Sequence, residues 1–166
     1  MLRHVVVAPV FLLSTGMLSA DPLELVEYKS AEGRFVVLIP GEVKVRTDKN
    51  GNVPTTTHIS NPAPGLMFSV TYFDLPADLA PGQSRTTLKQ FAEGIKGKVV
   101  TDKEVKVGPQ KLPGRETLYQ RKDSHMRQLL AIDKRRMYIV IVGSAAKDEV
   151  TNKVADRFIN GFEVTK

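Results

Sequence analysis

Cysteine is missing altogether from the 166 residues, and that absence removes several chemistries at once. No disulfide can staple the fold, no thiolate can bind zinc or attack a substrate, and no N-terminal cysteine can carry a lipid. Histidine is nearly as scarce, with three in the chain. His4 falls in the leading segment. His58 and His125 have no second histidine or carboxylate at metal-ligand spacing, so both are expected as exposed polar residues. There is no Gly-x-Ser-x-Gly elbow, no phosphate-cradling glycine loop and no dinucleotide fingerprint. Asp148 and Glu149 are adjacent, so on a helix they point apart and form no catalytic pair. The expectation is of no catalytic residue, no metal and no cofactor. A small extracytoplasmic enzyme whose site is assembled only by the fold stands as the alternative.

What is present begins with an apolar leader. Arg3 and His4 form a short basic region, Val5 to Leu18 is an apolar run, and Ser19-Ala20 supplies small residues. This is the layout of a secretory signal peptide cleaved near Ala20. The run is too short for a comfortable membrane span, which needs about 20 apolar residues. The expected organisation is residues 1–20 as signal peptide and residues 21–166 as one exported domain, long enough to bury its own core. Neither solenoid repeats nor low-complexity runs interrupt it.

Periodicity orders the elements. Leu25 to Lys29, Phe35 to Ile39 and Glu42 to Arg46 are expected strands. The Asn50-Gly51 pair favours a hairpin turn. Pro54 to Ser60 and Met67 to Phe73 follow as strands, separated by a proline-rich break at Asn61 to Gly65. Leu88, Phe91, Ala92 and Ile95 share one helical face, with Ser84 as cap and Gly97 as stop. Five or so strands come next: Val99 to Thr101, Val105 with Val107, Arg115 to Arg121, Met126 to Ile132, and Met137 to Val142. Tyr138 to Val142 is apolar throughout, as in a central strand covered on both faces. A last helix runs from about Ala145 to Asn160, capped by Ser144, with Val150, Val154 and Phe158 buried and Gly161 ending it. Such an order around one sheet gives an α+β layered sandwich.

Pro-Gly occurs four times, at Pro40-Gly41, Pro64-Gly65, Pro81-Gly82 and Pro113-Gly114. Proline holds φ near −65° and glycine accepts positive φ, the two central positions of a type II turn. All four are expected as turns, including the one that opens Leu112-Pro113-Gly114-Arg115.

Four stretches, in order, carry a family resemblance: FVVLIPGEVKV, LPGRETLYQ, RMYIVIVGS and VADRFINGFEV. Together they resemble the PsbP-like superfamily, also called Mog-like, over most of Leu25 to Val164. The nearest likeness is to its uncharacterised small exported bacterial members. The resemblance implies an α/β/α sandwich, with a largely antiparallel central sheet flanked by helices, and a non-catalytic binding or scaffolding role.

Charge is unevenly spread. The chain holds 24 Lys or Arg against 18 Asp or Glu, and the excess lies in residues 96–136. Arg115, Tyr119 and Arg121 alternate along one strand and are expected to share a face. Arg127 falls on the partner strand, and Lys134-Arg135-Arg136 on the next hairpin. These seven form the candidate anion-binding face. Export and the single aromatic Tyr119 weigh against nucleic acid as the ligand. An anionic envelope component or protein partner fits the patch, and so does an uncommitted solvated sheet face whose lysines discourage edge pairing.

Overall fold

A computed structural model describes residues 23–80 and 82–166 of the chain. The leader with its expected cleavage near Ala20, and Pro81, lie outside the described residues. Among the described residues no helix is long and apolar enough to cross a membrane.

The chain opens with two short strands, β1 (Leu25–Ser30) and β2 (Phe35–Pro40), paired antiparallel from Leu25 with Pro40 to Ser30 with Phe35. Strand β2 alternates sharply. Phe35, Val37 and Ile39 are buried while Val36 and Leu38 are half-buried. Then come β3 (Lys44–Asn50), β4 (Val53–Ala63) and β5 (Leu66–Asp74), helix α1 (Gln83–Glu93), and the meander β6 (Lys98–Val107), β7 (Leu112–Arg121), β8 (Ser124–Asp133) and β9 (Arg136–Ser144). Two short helices, α2 (Lys147–Thr151) and α3 (Lys153–Asn160), lead to the two-residue β10 (Glu163–Val164).

These strands form two antiparallel sheets, not one. Seven strands run in the order β3-β4-β5-β9-β8-β7-β6, and three in the order β1-β2-β10. The expected α/β/α sandwich is therefore corrected. Strands take 56% of the described residues and helices 17%, too little helix to clothe a large sheet on both sides. The physical reason is that β2 pairs with β10 at the far end of the chain and so leaves the main sheet. The small sheet and α3 together cover one face of the large one. Helix α1 covers part of the other, laying Leu88 and Ala92 on Leu130, Ile132 and Met137.

The main core lies between the two sheets. Phe158 of α3 meets Phe68 of β5 edge-on at 5.1 Å, and Tyr138 is wholly enclosed, its hydroxyl donating to the Gly33 carbonyl at 3.0 Å. Burying such an aromatic stabilises the fold by about 1.5–3 kcal/mol. In β9, Tyr138, Val140 and Val142 are fully buried on the core side, whereas Ile139 and Ile141 are only half-buried on the other. From Tyr138 to Val142 the central strand is thus sealed on one face alone.

Local expectations shift in instructive ways. The last helix breaks at Asn152, which is extended (φ −78°, ψ 175°) and whose side chain accepts from the Ala155 N–H, restarting the helix as α3. Helix α1 begins after Gly82 at φ 87° and ends at Gly94, not at Ser84 and Gly97. Gly41 and Gly65 hold φ 73° and 75°, as a type II turn requires. Gly114 does not belong with them. It lies inside β7 between Val105 and Ala131, where a Cβ would stand 2.5 Å from the Val107 side chain. The turn itself is upstream, where Lys111 N–H donates to the Gly108 carbonyl at 3.0 Å. His58 is 4% exposed rather than solvent-facing, because its place in β4 alternates with Thr57 and Ile59 toward the small sheet.

Candidate functional site

Register decides which cations can act together. Leu118 pairs with Arg127, and Thr117 with Gln128, so Arg127 shares a face with Leu118 and Glu116. Arg115, Tyr119 and Arg121 alternate onto the opposite face. The seven candidate residues do not make one surface.

Internal partners hold most of them. The Arg115 guanidinium is paired with Asp102, which also accepts from the Thr117 hydroxyl at 3.3 Å. Arg127 is buried between Glu116, at 2.9 Å, and Asp156. Arg136 grips both oxygens of Asp74 at 2.8 and 3.0 Å, donates to the Glu32 carbonyl at 2.7 Å, and lies 4.9 Å over the Tyr72 ring. Those hydrogen bonds hold the Asp74 carboxyl below its ordinary range. Tyr119 is buried, which raises its phenol above the usual value. Arg121 is exposed beside the Lys122-Asp123 turn, at the opposite end of β7 from the β8–β9 hairpin. Only Lys134 and Arg135 remain open at that hairpin, with Arg135 at 4.0 Å from Asp74.

Lys134 has company that the sequence did not reveal. It lines a cavity of about 460 Å³ with Arg34 from the β1–β2 turn and Lys166 beyond β10. Leu112 and Val164 give it an apolar floor, and Gln110 donates across it to the Val164 carbonyl at 2.7 Å. Asp133 is the one acidic side chain in the lining, 3.8 Å from Arg34. Lys111 sits between two lining residues. The backbone here is unusual: the non-glycine residues at positive φ among the described residues are Arg34, Lys111, Lys122 and Lys134, at 52–55°. A left-handed residue with a Cβ costs about 1–2 kcal/mol. Glycine or asparagine would relieve that strain, yet three cations accept it around one cavity. Turn parity is the signal that could have found them. In a meander the β6–β7 and β8–β9 turns fall at the same end, and the β7–β8 turn at the other.

A second cluster has shifted titrating groups but a closed geometry. His58 Nδ1 is hydrogen-bonded to the Tyr28 hydroxyl at 2.8 Å, and its ring meets Phe35 edge-on and stacks on Tyr72. Burial lowers the imidazole pKa, and a weaker pull from Glu32 opposes it. His58 Nε2 and the Tyr72 hydroxyl are buried without a partner. The cavities at α1 and at the cationic end are lined by other residues, and the one beside β1 reaches Phe35 but none of His58, Tyr28 and Tyr72. The cluster joins the two sheets.

With this geometry in place, comparison of folds is informative. The cyanobacterial PsbP (CyanoP) of Synechocystis sp. PCC 6803, known from its solution structure, superposes with a TM-score of 0.58 over 88% of this chain and 95% of its own, at 12% identity. The fold is PsbP-like. At that identity the likeness is one of fold alone. PA94 of Pseudomonas aeruginosa, described as a protein of unknown function and putative regulator, overlaps 77% of this chain and 87% of its own at 14% identity with a TM-score of 0.35, which carries no argument. No family model matches the chain, and no curated protein does.

Proposed function

We propose that residues 21–166 form an exported, non-catalytic binding domain that meets an anionic partner through its cationic end. The observation that carries this reading is the cavity rimmed by Arg34, Lys134 and Lys166, with Lys111 and Arg135 beside it. Cations from separate turns around one concave site focus a positive potential there and attract negative groups. The apolar leader supports export, and the PsbP-like fold is in keeping with an accessory role. Arg115, Arg127 and Arg136 serve the fold, and Arg121 and Tyr119 stand apart from this end.

The test has two arms. Cell fractionation of a C-terminally tagged chain should find a form outside the cytoplasm, shorter by about two kilodaltons as leader removal requires. Retention on heparin-agarose across a salt gradient should drop when Arg34→Gln and Lys134→Gln are combined, with a shallower salt dependence because fewer charges are neutralised. Arg121→Gln, at the far end, should elute as the parent does. Equal retention of all three proteins would refute the cationic end as the binding surface.

A further inference from the structure

The cavity at the cationic end lies where the core between the two sheets opens to solvent. Gly114 pairs with Ala131, which belongs to the main core. Parity then places Leu112 of β7 and Asp133 of β8 on the same inner face of the large sheet. Val164 of β10 approaches from the small sheet, 4% exposed, and Leu112 packs against the same core. Polar groups near this floor are already occupied. Gln110 donates to the Val164 carbonyl, and the Thr165 N–H donates to the Arg34 carbonyl at 2.8 Å. The floor therefore offers mainly apolar surface.

Charge gathers at the rim instead. Asp133 is matched by Arg34 at 3.8 Å, while Lys134 is exposed and reaches the same cavity from the β8–β9 turn. The volume, about 460 Å³, is that of a small-molecule site. A bare anion would leave the apolar floor unmatched, and a neutral hydrocarbon would make no use of the cations. Taking the cationic end as the binding surface proposed above, we infer that its cavity holds a small amphipathic anion, one charged head on an apolar body. The head sits between Arg34 and Lys134, and the body lies against Leu112 and Val164. Each methylene laid on that floor leaves water, while the head stays at the wet rim and keeps its charge. Because both sheets line the cavity, the ligand is a freely diffusing molecule and not a bilayer surface.

Butanoate, hexanoate and octanoate are suitable probes, with 1-octanol and inorganic phosphate as controls, followed by two-dimensional amide NMR of the whole protein. The Arg34, Leu112, Lys134 and Val164 signals should shift. Affinity should rise about three- to fourfold per added methylene, the change that burying one methylene gives. Octanol and phosphate should each bind more weakly than octanoate by about tenfold. Combining Arg34→Gln with Lys134→Gln should weaken octanoate by about tenfold. Leu112→Asn should weaken octanoate to a similar degree yet leave heparin retention unchanged, because the rim keeps its cations. If Leu112→Asn does not fold, chain-length dependence in the unaltered protein decides the matter. Affinity independent of chain length, phosphate binding as tightly as octanoate, or octanoate shifts confined to other parts of the molecule would overturn the proposal. So would shifts at these residues with phosphatidylglycerol vesicles but none with octanoate. Should one of these results appear while the Arg34 and Lys134 substitutions still lower heparin retention, the cationic end stands and only the amphipathic ligand falls. Unchanged retention as well would remove both.

Discussion

The Tyr28 hydroxyl and the His58 imidazole meet across the two sheets, 2.8 Å apart, where the imidazole is packed among aromatic side chains. Tyr28 belongs to the small sheet and His58 to the large one, so the contact is a hinge pin between them. Phe35 and Tyr72 complete the enclosure, and together they exclude the water that an imidazolium would need.

Stability should therefore fall on mild acidification. Burial lowers the pKa of His58 in the folded chain, while the unfolded chain keeps the ordinary value of about 6.5. Below that value the unfolded state binds the extra proton, so the contribution is complete above about pH 6.5 and is lost as pH falls toward the lowered folded-state pKa. Urea midpoints measured from about pH 7.5 to 5.5 should decline for the parent protein and stay flatter for His58→Phe. A parallel decline in both would assign the effect to other groups.

Arg127 and Arg121 are both arginines of the basic segment but should respond oppositely to neutralisation. Arg127→Gln strips a buried cation from Glu116 and Asp156 and should cost about 2–3 kcal/mol in denaturant unfolding. Lys103, 3.2 Å from Glu116, keeps the loss from being larger. Arg121→Gln should change stability by no more than about 0.5 kcal/mol. Equal effects would mean that Arg127 is not held as described.

Gly114→Ala should destabilise through crowding instead of backbone strain. The added methyl would meet Val107 at 2.5 Å, and Val105 and the Leu130 carbonyl at 3.1 Å, which costs about 1–3 kcal/mol in a well-packed sheet. Pairing Gly114→Ala with Val107→Ala should recover part of the loss, because the nearest clash is removed. No recovery in a double-mutant cycle would point to another cause.

Much of this architecture was legible residue by residue. Alternation marked the strand at Glu42 to Arg46, richness in β-branched and aromatic residues located β4 and β5, and the uniform run at Tyr138 to Val142 marked the central strand. Other features were hidden by physics that a linear pattern does not carry. Val150, Val154 and Phe158 keep helical spacing straight through the Asn152 break, because α2 and α3 bury the same side of the chain. The second sheet depends on β10, two residues long, whose partner lies at the other end of the sequence. Glycine at position 114 looked like a turn residue because close approach and positive φ call for the same amino acid. At the candidate site, Lys134 and Arg135 were visible in the basic run. Arg34 and Lys166 were not, since only the meander and the β2–β10 pairing carry them to the same place. Arg127 was misplaced by one unit of parity, which only the location of the Lys122-Asp123 turn could correct.

The wiring of the small sheet has a consequence for the order of events in folding. Strand β2 has β1 beside it early, but its other neighbour arrives only with Val164, which pairs with Phe35. A ribosome must therefore deliver the chain as far as Val164 before that edge can close. Contacts so distant in sequence form slowly. Until they form, Phe35 and Phe162, whose rings end 5.8 Å apart, cannot come together. The nascent chain is left unlatched until that pairing forms, with β2 open along one edge.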